Sequence, residues 1–292
     1  MTETLTNTQS KFITLSGYRH HYAELGEGDE TLLLVHGFSA SLLSYQKVMP
    51  AFAKRYRVLA IDLVGFGASD KPTDAPYSLE LFSKLLVEFL EKMNATGAGK
   101  KVYAVGHSMG GKILLAMSVL YPNVLSKLVV TNTDGFLYVP MIISAASLWG
   151  VRHLLNKVVG RESFVRKTME SVYFDPAHIT DEHFQRNLSM VRDQANFNAM
   201  MALNRNYKHL DLRRTGLRVR LGELKLPVLI LWGDSDRFVA TKYAAVAHRE
   251  IPNSELQLIS RCGHVPMVER PEEFVQLTLA FLEKTATAGR EK

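Results

Sequence analysis

Ser108 stands in the stretch KVYAVGHSMGGKILLAM, residues 101–117, two positions after Gly106 and two before Gly110. A serine in this setting can do one of two things. Its side chain can cap the helix that follows, since serine is among the preferred N-cap residues and glycines punctuate strand-to-helix turns. Alternatively its hydroxyl can attack an electrophile, the use to which a G-x-S-x-G elbow is put. A serine hydroxyl is a weak nucleophile near neutral pH and needs a base to take its proton. The chain holds ten histidines and a single cysteine, Cys262.

The apolar run VYAV ends at Gly106 and a helical pattern starts directly after Ser108, so the serine falls on a tight turn. Such a turn crowds the side chain and is tolerable only where the residues two before and two after are small, as Gly106 and Gly110 are. The hydroxyl is then presented at the carboxyl edge of a sheet, where a helix N-terminus favours developing negative charge.

Short apolar runs alternate with longer helical patterns through the first half of the chain. TLLLVHG (31–37), YRVLAIDL (56–63), KVYAVG (101–106) and SKLVVTNT (126–133) are the expected strands, with helices over Leu42 to Arg55, Leu79 to Met93 and Met109 to Tyr121. Continuously apolar strands separated by helices predict a parallel sheet covered on both faces. KFITLS and YRHHYAEL predict a leading antiparallel hairpin that turns at Ser16-Gly17. From residue 135 to about 222 the alternation stops and the text is helical and rich in Met and Phe. It then resumes with LPVLILWG (226–233), a helix near Lys242 to Arg249, SELQLIS (254–260) and a closing helix from Pro271 to about Lys284. The reading is one α/β core, 1–134 and 223–292, interrupted by a helical insertion at 135–222, with the tail TATAGREK expected to fray.

A chain of 292 residues is long enough for a large core, and 47% hydrophobic with 22% charged residues is ordinary for a globular protein. One cysteine excludes an internal disulfide and any cysteine-rich metal site. MTETLTNTQSKFITLSGYR lacks the apolar core of a secretory signal, and the apolar stretch VPMIISAASLWGV at 139–151 is too short to span a bilayer. The expectation is a soluble cytoplasmic protein with no integral membrane segment. The net charge of +6 is unevenly placed: residues 135–226 hold 14 Lys plus Arg against 8 Asp plus Glu, and the remainder has 21 of each. Solvated helix faces, or attraction of an anionic substrate or acidic surface, would explain that excess. No nucleic-acid motif accompanies it.

GHSMGG on its turn, HGF after an earlier strand, WGDSDRFV and CGHVPMVERPEEF together resemble the α/β-hydrolase superfamily, in the order serine, acid, histidine and over nearly the whole chain. The resemblance implies a mostly parallel eight-stranded sheet flanked by helices, with an inserted helical cap. It points to His264 as the base, since the family places that residue in the loop after the last strand; there it would deprotonate Ser108 and later protonate the leaving group. His36 in the HGF turn, His107 on the elbow itself and His248 fit less well. For the acid, Asp236 matches the family's W-G-x-x-D spacing, while Asp234 in the same loop and Asp134 after SKLVVTNT stay open. By the same resemblance the backbone amides of Phe38 and Met109 form the oxyanion hole that a tetrahedral intermediate needs.

No metal site and no cofactor are expected. H-E-x-x-H is absent, DEHFQRN at 181–187 only superficially resembles it, and IDLVGFGASDKP lacks the spacing of a phosphate loop. Ser108 argues against the superfamily's haloalkane dehalogenases and epoxide hydrolases, which use aspartate as nucleophile.

The insertion carries Met141, Met169, Met190, Met200 and Met201 with Phe136, Phe164, Phe174, Phe184 and Phe197. Most of these are expected in the core of the cap and some over the serine, lining a roomy apolar acyl or aryl pocket. Three readings follow. The first is a carboxylesterase-like serine hydrolase of short- to medium-chain or aryl esters, with a small-molecule ester as its partner. The second is a C–C hydrolase of ring-cleavage-type vinylogous diketone acids, which resembles this chain in size, cap and basic residues such as Arg186 or Arg192. Those enzymes typically carry Asn before the serine and Trp after the histidine, where this chain has His107 and Val265. The third is a catalytically silent fold used for binding, against which intact Ser108, Asp236 and His264 argue. Oligomeric state is left open.

Overall fold

Leu32 and Leu34 of strand β3 (Glu30–Val35) pack on one face of the sheet, and Leu33 and Val35 on the other; all four are fully buried. The period-two alternation of a strand therefore feeds two cores rather than a core and a wet face, as a parallel sheet requires. The structure is a computed structural model and describes residues 10–138, 151 and 158–284. Nearly all of the apolar stretch 139–151, with Met141, and the TATAGREK tail lie outside the described residues.

The remaining strands are β1 (Ser10–Leu15), β2 (Tyr18–Leu25), β4 (Arg57–Ile61), β5 (Lys101–His107), β6 (Lys127–Thr131), β7 (Val228–Gly233) and β8 (Ser254–Ile259). They form one eight-stranded sheet in the order β1-β2-β4-β3-β5-β6-β7-β8. The first two pairings are antiparallel and the other five parallel. The leading hairpin turns at Ser16 and Gly17, both at positive φ.

One face is covered by α2 (Leu79–Lys92), α3 (Met109–Leu120) and α7 (Lys242–Glu250), the other by residues 42–56 and α9 (Pro271–Glu283). The expected helix over Leu42 to Arg55 is a correction: a 3-10 turn at Leu42–Tyr45 is followed by a single α turn, α1 (Met49–Phe52). Pro50 explains the break, because it has no N–H to bond back to Gln46. Between β6 and β7 lie α4 (Glu162–Val172), α5 (Asp181–Arg192) and α6 (Gln194–Arg205). Val165, Met169, Phe184 and Leu188 give α4 and α5 a small core of their own. A short helix unforeseen in the sequence, α8 (Pro266–Glu269), precedes α9.

Candidate active site

The register of the sheet sets the site. Val35 pairs with Gly106, His107 with Thr131, Thr131 with Leu231 and Gly233 with Ile259, so the carboxyl ends of β3, β5, β6, β7 and β8 lie side by side. From these ends come the Gly37-Phe38 turn, Ser108, Asn132, Asp236 and His264.

Ser108 adopts φ 50°, ψ −120°, a conformation L-residues rarely hold, and starts α3 without using its hydroxyl as a cap. The glycines around it are required sterically. A Cβ on Gly106 would lie 2.7 Å from the backbone of Gly110, and one on Gly110 would run into the carbonyl oxygen of Val35. Gly37 packs nearly as close, since a Cβ there would be 3.0 Å from Cβ of Ser108. That contact seats the Phe38 turn against the elbow. Among the described residues no acceptor takes the amide protons of Phe38 or Met109.

His264 is buried, and its Nδ1 donates to Oδ2 of Asp236 at 2.8 Å, which in the neutral imidazole makes Nε2 the acceptor. Ser108 and His264 both line a cavity of about 490 Å³. No hydrogen bond joins them across it, and contacts of this kind commonly tighten only around a substrate. Of the three candidate acids, Asp236 alone meets the imidazole. Asp134 is held by Lys112 Nζ at 2.6 Å, and Asp234 is exposed and bound by Ser235 and Ser260. Burial pushes the carboxyl of Asp236 up, but the hydrogen bond and charge of His264, with Asn132 and the Val239 amide, more than offset this and hold it below the ordinary value.

The three other histidines weighed in the sequence are bonded to other groups. His36 is fully buried, donating from Nδ1 to the Gly37 carbonyl and accepting the Leu63 amide at Nε2. His248 bonds Ser254 at the surface. His107 donates from Nε2 to the carbonyl oxygen of His264 at 2.8 Å, and its Nδ1 is buried with no partner among the described residues. Burial, then the neighbouring His264, pushes the His107 imidazole down to about 3, so it is neutral.

Residues 30–271 match the family described as the alpha/beta hydrolase fold. The chain belongs to that family. It is 31% identical over 257 residues to an uncharacterized hydrolase of Bacillus subtilis strain 168, covering 87% of this chain and 90% of the relative. It is 30% identical to a 2-hydroxy-6-oxononadienedioate/2-hydroxy-6-oxononatrienedioate hydrolase of Cupriavidus pinatubonensis, over 94% of this chain and 95% of the other. The solved structure of a membrane phospholipase A, described as a bacterial virulence factor, superposes with a TM-score of 0.78 at 25% identity, covering 94% of this chain and 85% of that one.

Two residues of this hydrolase escaped sequence reasoning. Asn132 donates from Nδ2 to Oδ2 of Asp236 at 2.8 Å and to the Gly263 carbonyl at 3.2 Å, from a backbone at φ 48°. An asparagine at a strand end is a signal for that left-handed position, though it does not say what the side chain reaches. Asp62 accepts the Leu42 amide at 2.7 Å and the Ala68 amide at 2.8 Å, tying the loop after Phe38 to IDLVGFGAS. It also takes Nδ1 of His21 at 2.7 Å, whose Nε2 lies 2.6 Å from the Ser10 hydroxyl. This second serine–histidine–aspartate line is not at the cavity of Ser108 and serves the loops.

The helices between β6 and β7 supply much of the cavity wall. Met169, Met190, Met200 and Phe164 line it, whereas Met201, Phe184 and Phe197 are buried away from it. The basic excess divides in the same way. Arg192 lies at the surface beside Glu162 and the Gly160 carbonyl, while Arg186 lines the cavity with no carboxylate at ion-pair distance among the described residues. No cluster of metal-binding side chains occurs among the described residues, and none of their helices is long and apolar enough to cross a membrane.

Proposed function

We propose that this protein is a serine hydrolase of carboxylic esters with short- to medium-chain or aryl acyl groups. Ser108 is the nucleophile, His264 the base and Asp236 the acid that orients it. The observation that carries the reading is the Asp236–His264 pair at a cavity whose floor holds an uncapped serine hydroxyl. His264 takes the proton of Ser108 as Oγ attacks the ester carbonyl. The amides of Phe38 and Met109 hold the oxyanion, and His264 then protonates the departing alkoxide. Water releases the acyl group from Ser108 by the same steps. Helices α4 to α6 act as a cap over this reaction, with the flexible side chains of Met169, Met190 and Met200 shaping the acyl pocket.

A second reading rests on Arg186 and on the hydrolase from Cupriavidus pinatubonensis. A vinylogous diketone acid carries a carboxylate that an arginine in the cavity wall, without a carboxylate partner among the described residues, would hold, and C–C cleavage would use the same serine. His107 and Val265, where such enzymes typically carry Asn and Trp, favour the ester. A panel of p-nitrophenyl esters of graded chain length beside a vinylogous diketone acid decides between them, and preference for the diketone acid reverses the ranking. Treatment with a phosphonate ester should leave one adduct, on Ser108, by mass spectrometry; an unlabelled Ser108 with unchanged turnover rejects both readings.

A further inference from the structure

The backbone after α4 is fastened to the loop of His264. The His264 amide donates to the carbonyl of Val172 at 2.8 Å, and the Phe174 amide donates to Oε2 of Glu269 at 2.7 Å. The other oxygen of that carboxylate, Oε1, accepts the Gly263 amide at 2.9 Å. One side chain thus holds an amide of the helical segment and an amide of the residue before His264. The fit is close: a Cβ on Gly263 would lie 2.5 Å from the Val172 carbonyl oxygen and 2.7 Å from the Phe174 nitrogen.

Glu269 is 4% exposed and has no cationic partner at ion-pair distance among the described residues. Burial pushes its carboxyl above the ordinary value, and the amides of Phe174, Gly263 and Val265 only partly counter this. The helix it fastens is not a remote one, because Thr168, Met169 and Val172 of α4 line the cavity.

We propose that Glu269 is a positioning residue, clamping α4 to the His264 loop so that the fit of substrate against α4 sets where the imidazole stands over Ser108. The proposal rests on His264 being the base. With no hydrogen bond yet joining Ser108 and His264, a small displacement of the loop decides whether the proton can be taken.

The test compares kcat, KM, melting temperature and amide exchange in the wild type, Glu269→Gln, Phe174→Pro and Phe174→Ala. Glutamine keeps the shape but offers one acceptor for two amides. Proline at 174 removes the amide donor, and Tyr173 before it is already extended, at φ −95° and ψ 146°, as a residue preceding proline must be. Both variants should lose about tenfold or more in kcat while KM stays within about threefold, with folded protein and, in Glu269→Gln, faster exchange at the amide left without an acceptor. Phe174→Ala, which keeps the amide, should stay near the wild type. Wild-type kcat in Glu269→Gln and Phe174→Pro overturns the clamp, as does a loss that merely follows the fraction unfolded. If Glu269→Gln does not fold, Phe174→Pro decides by the same criteria. Retained activity in His264→Ala would instead reject the assignment of the base, and the exchange readout would still report on the clamp.

Discussion

Oδ2 of Asp236 accepts hydrogen bonds from both Nδ1 of His264 and Nδ2 of Asn132, each at 2.8 Å. Its other oxygen takes the amides of Phe238 and Val239 at 2.8 and 2.9 Å. Four donors thus fix one carboxylate, so its orientation is set before any substrate arrives.

Replacing Asp236 by Asn should lower kcat by roughly 10⁴-fold, because an amide facing Nδ1 favours the wrong tautomer of His264. Asp134→Asn and Asp234→Asn should leave kcat within about threefold, since neither carboxylate reaches the imidazole. Steady-state kinetics on one p-nitrophenyl ester checks all three, and a large loss at Asp134 or Asp234 would move the acid.

Arg186→Gln separates the two substrate readings. If the cavity takes neutral esters, kcat/KM should change by less than about threefold; if the arginine holds a carboxylate, the loss for a diketone acid should reach about 10²-fold. Parallel measurement on neutral and carboxylate-bearing substrates is the check.

His107 should make stability depend on acid. Its imidazole is pushed from an ordinary 6.5 to about 3 in the folded protein, so below 6.5 the unfolded chain binds a proton that the folded one refuses. The stability it contributes is therefore complete above 6.5 and lost as pH falls towards 3. His20, His36 and His183 are also held down by burial and share that slope, so the difference between wild type and His107→Asn is what reads His107. Urea unfolding between pH ~7 and pH ~4 should show a shallower loss in the variant.

Gly110→Ala should destabilise the fold by roughly 1–3 kcal/mol or more, because the added methyl meets backbone carbonyls of Val35 and His36 that cannot rotate away. Gly216→Ala has open space around its Cβ but φ 74°, so its cost is backbone strain alone and should be smaller. Thermal melts of the two variants rank these effects.

Much of this was legible because it is local. The parallel core followed from apolar runs such as TLLLVHG, and the two-sided burial of Leu32 to Val35 is what such a run encodes. Residues 42–55 misled because their apolar spacing suits a helix while Pro50 forbids the hydrogen bond a continuous one needs. Asn132, His107 and Glu269 were invisible as partners, since each acts on a group 104, 157 or 6 positions away and no local pattern marks the contact.

By itself the chain determined that Ser108 would sit on a strained elbow, for the sterics of Gly-x-Ser-x-Gly between a strand and a helix act within five residues. It determined that the sheet would be buried on both faces for the same reason, because side-chain alternation is a property of each strand alone. Only the tertiary structure decided which aspartate meets His264, since Asp234 and Asp236 share one loop and the turn after β7 buries the second while leaving the first in water. It also decided that the neighbour of Ser108 is a neutral histidine holding the loop of His264, and that Arg186 rather than Arg192 faces the cavity. Those choices depend on which strand ends and helices come to lie together, and that is settled by packing across the whole sheet.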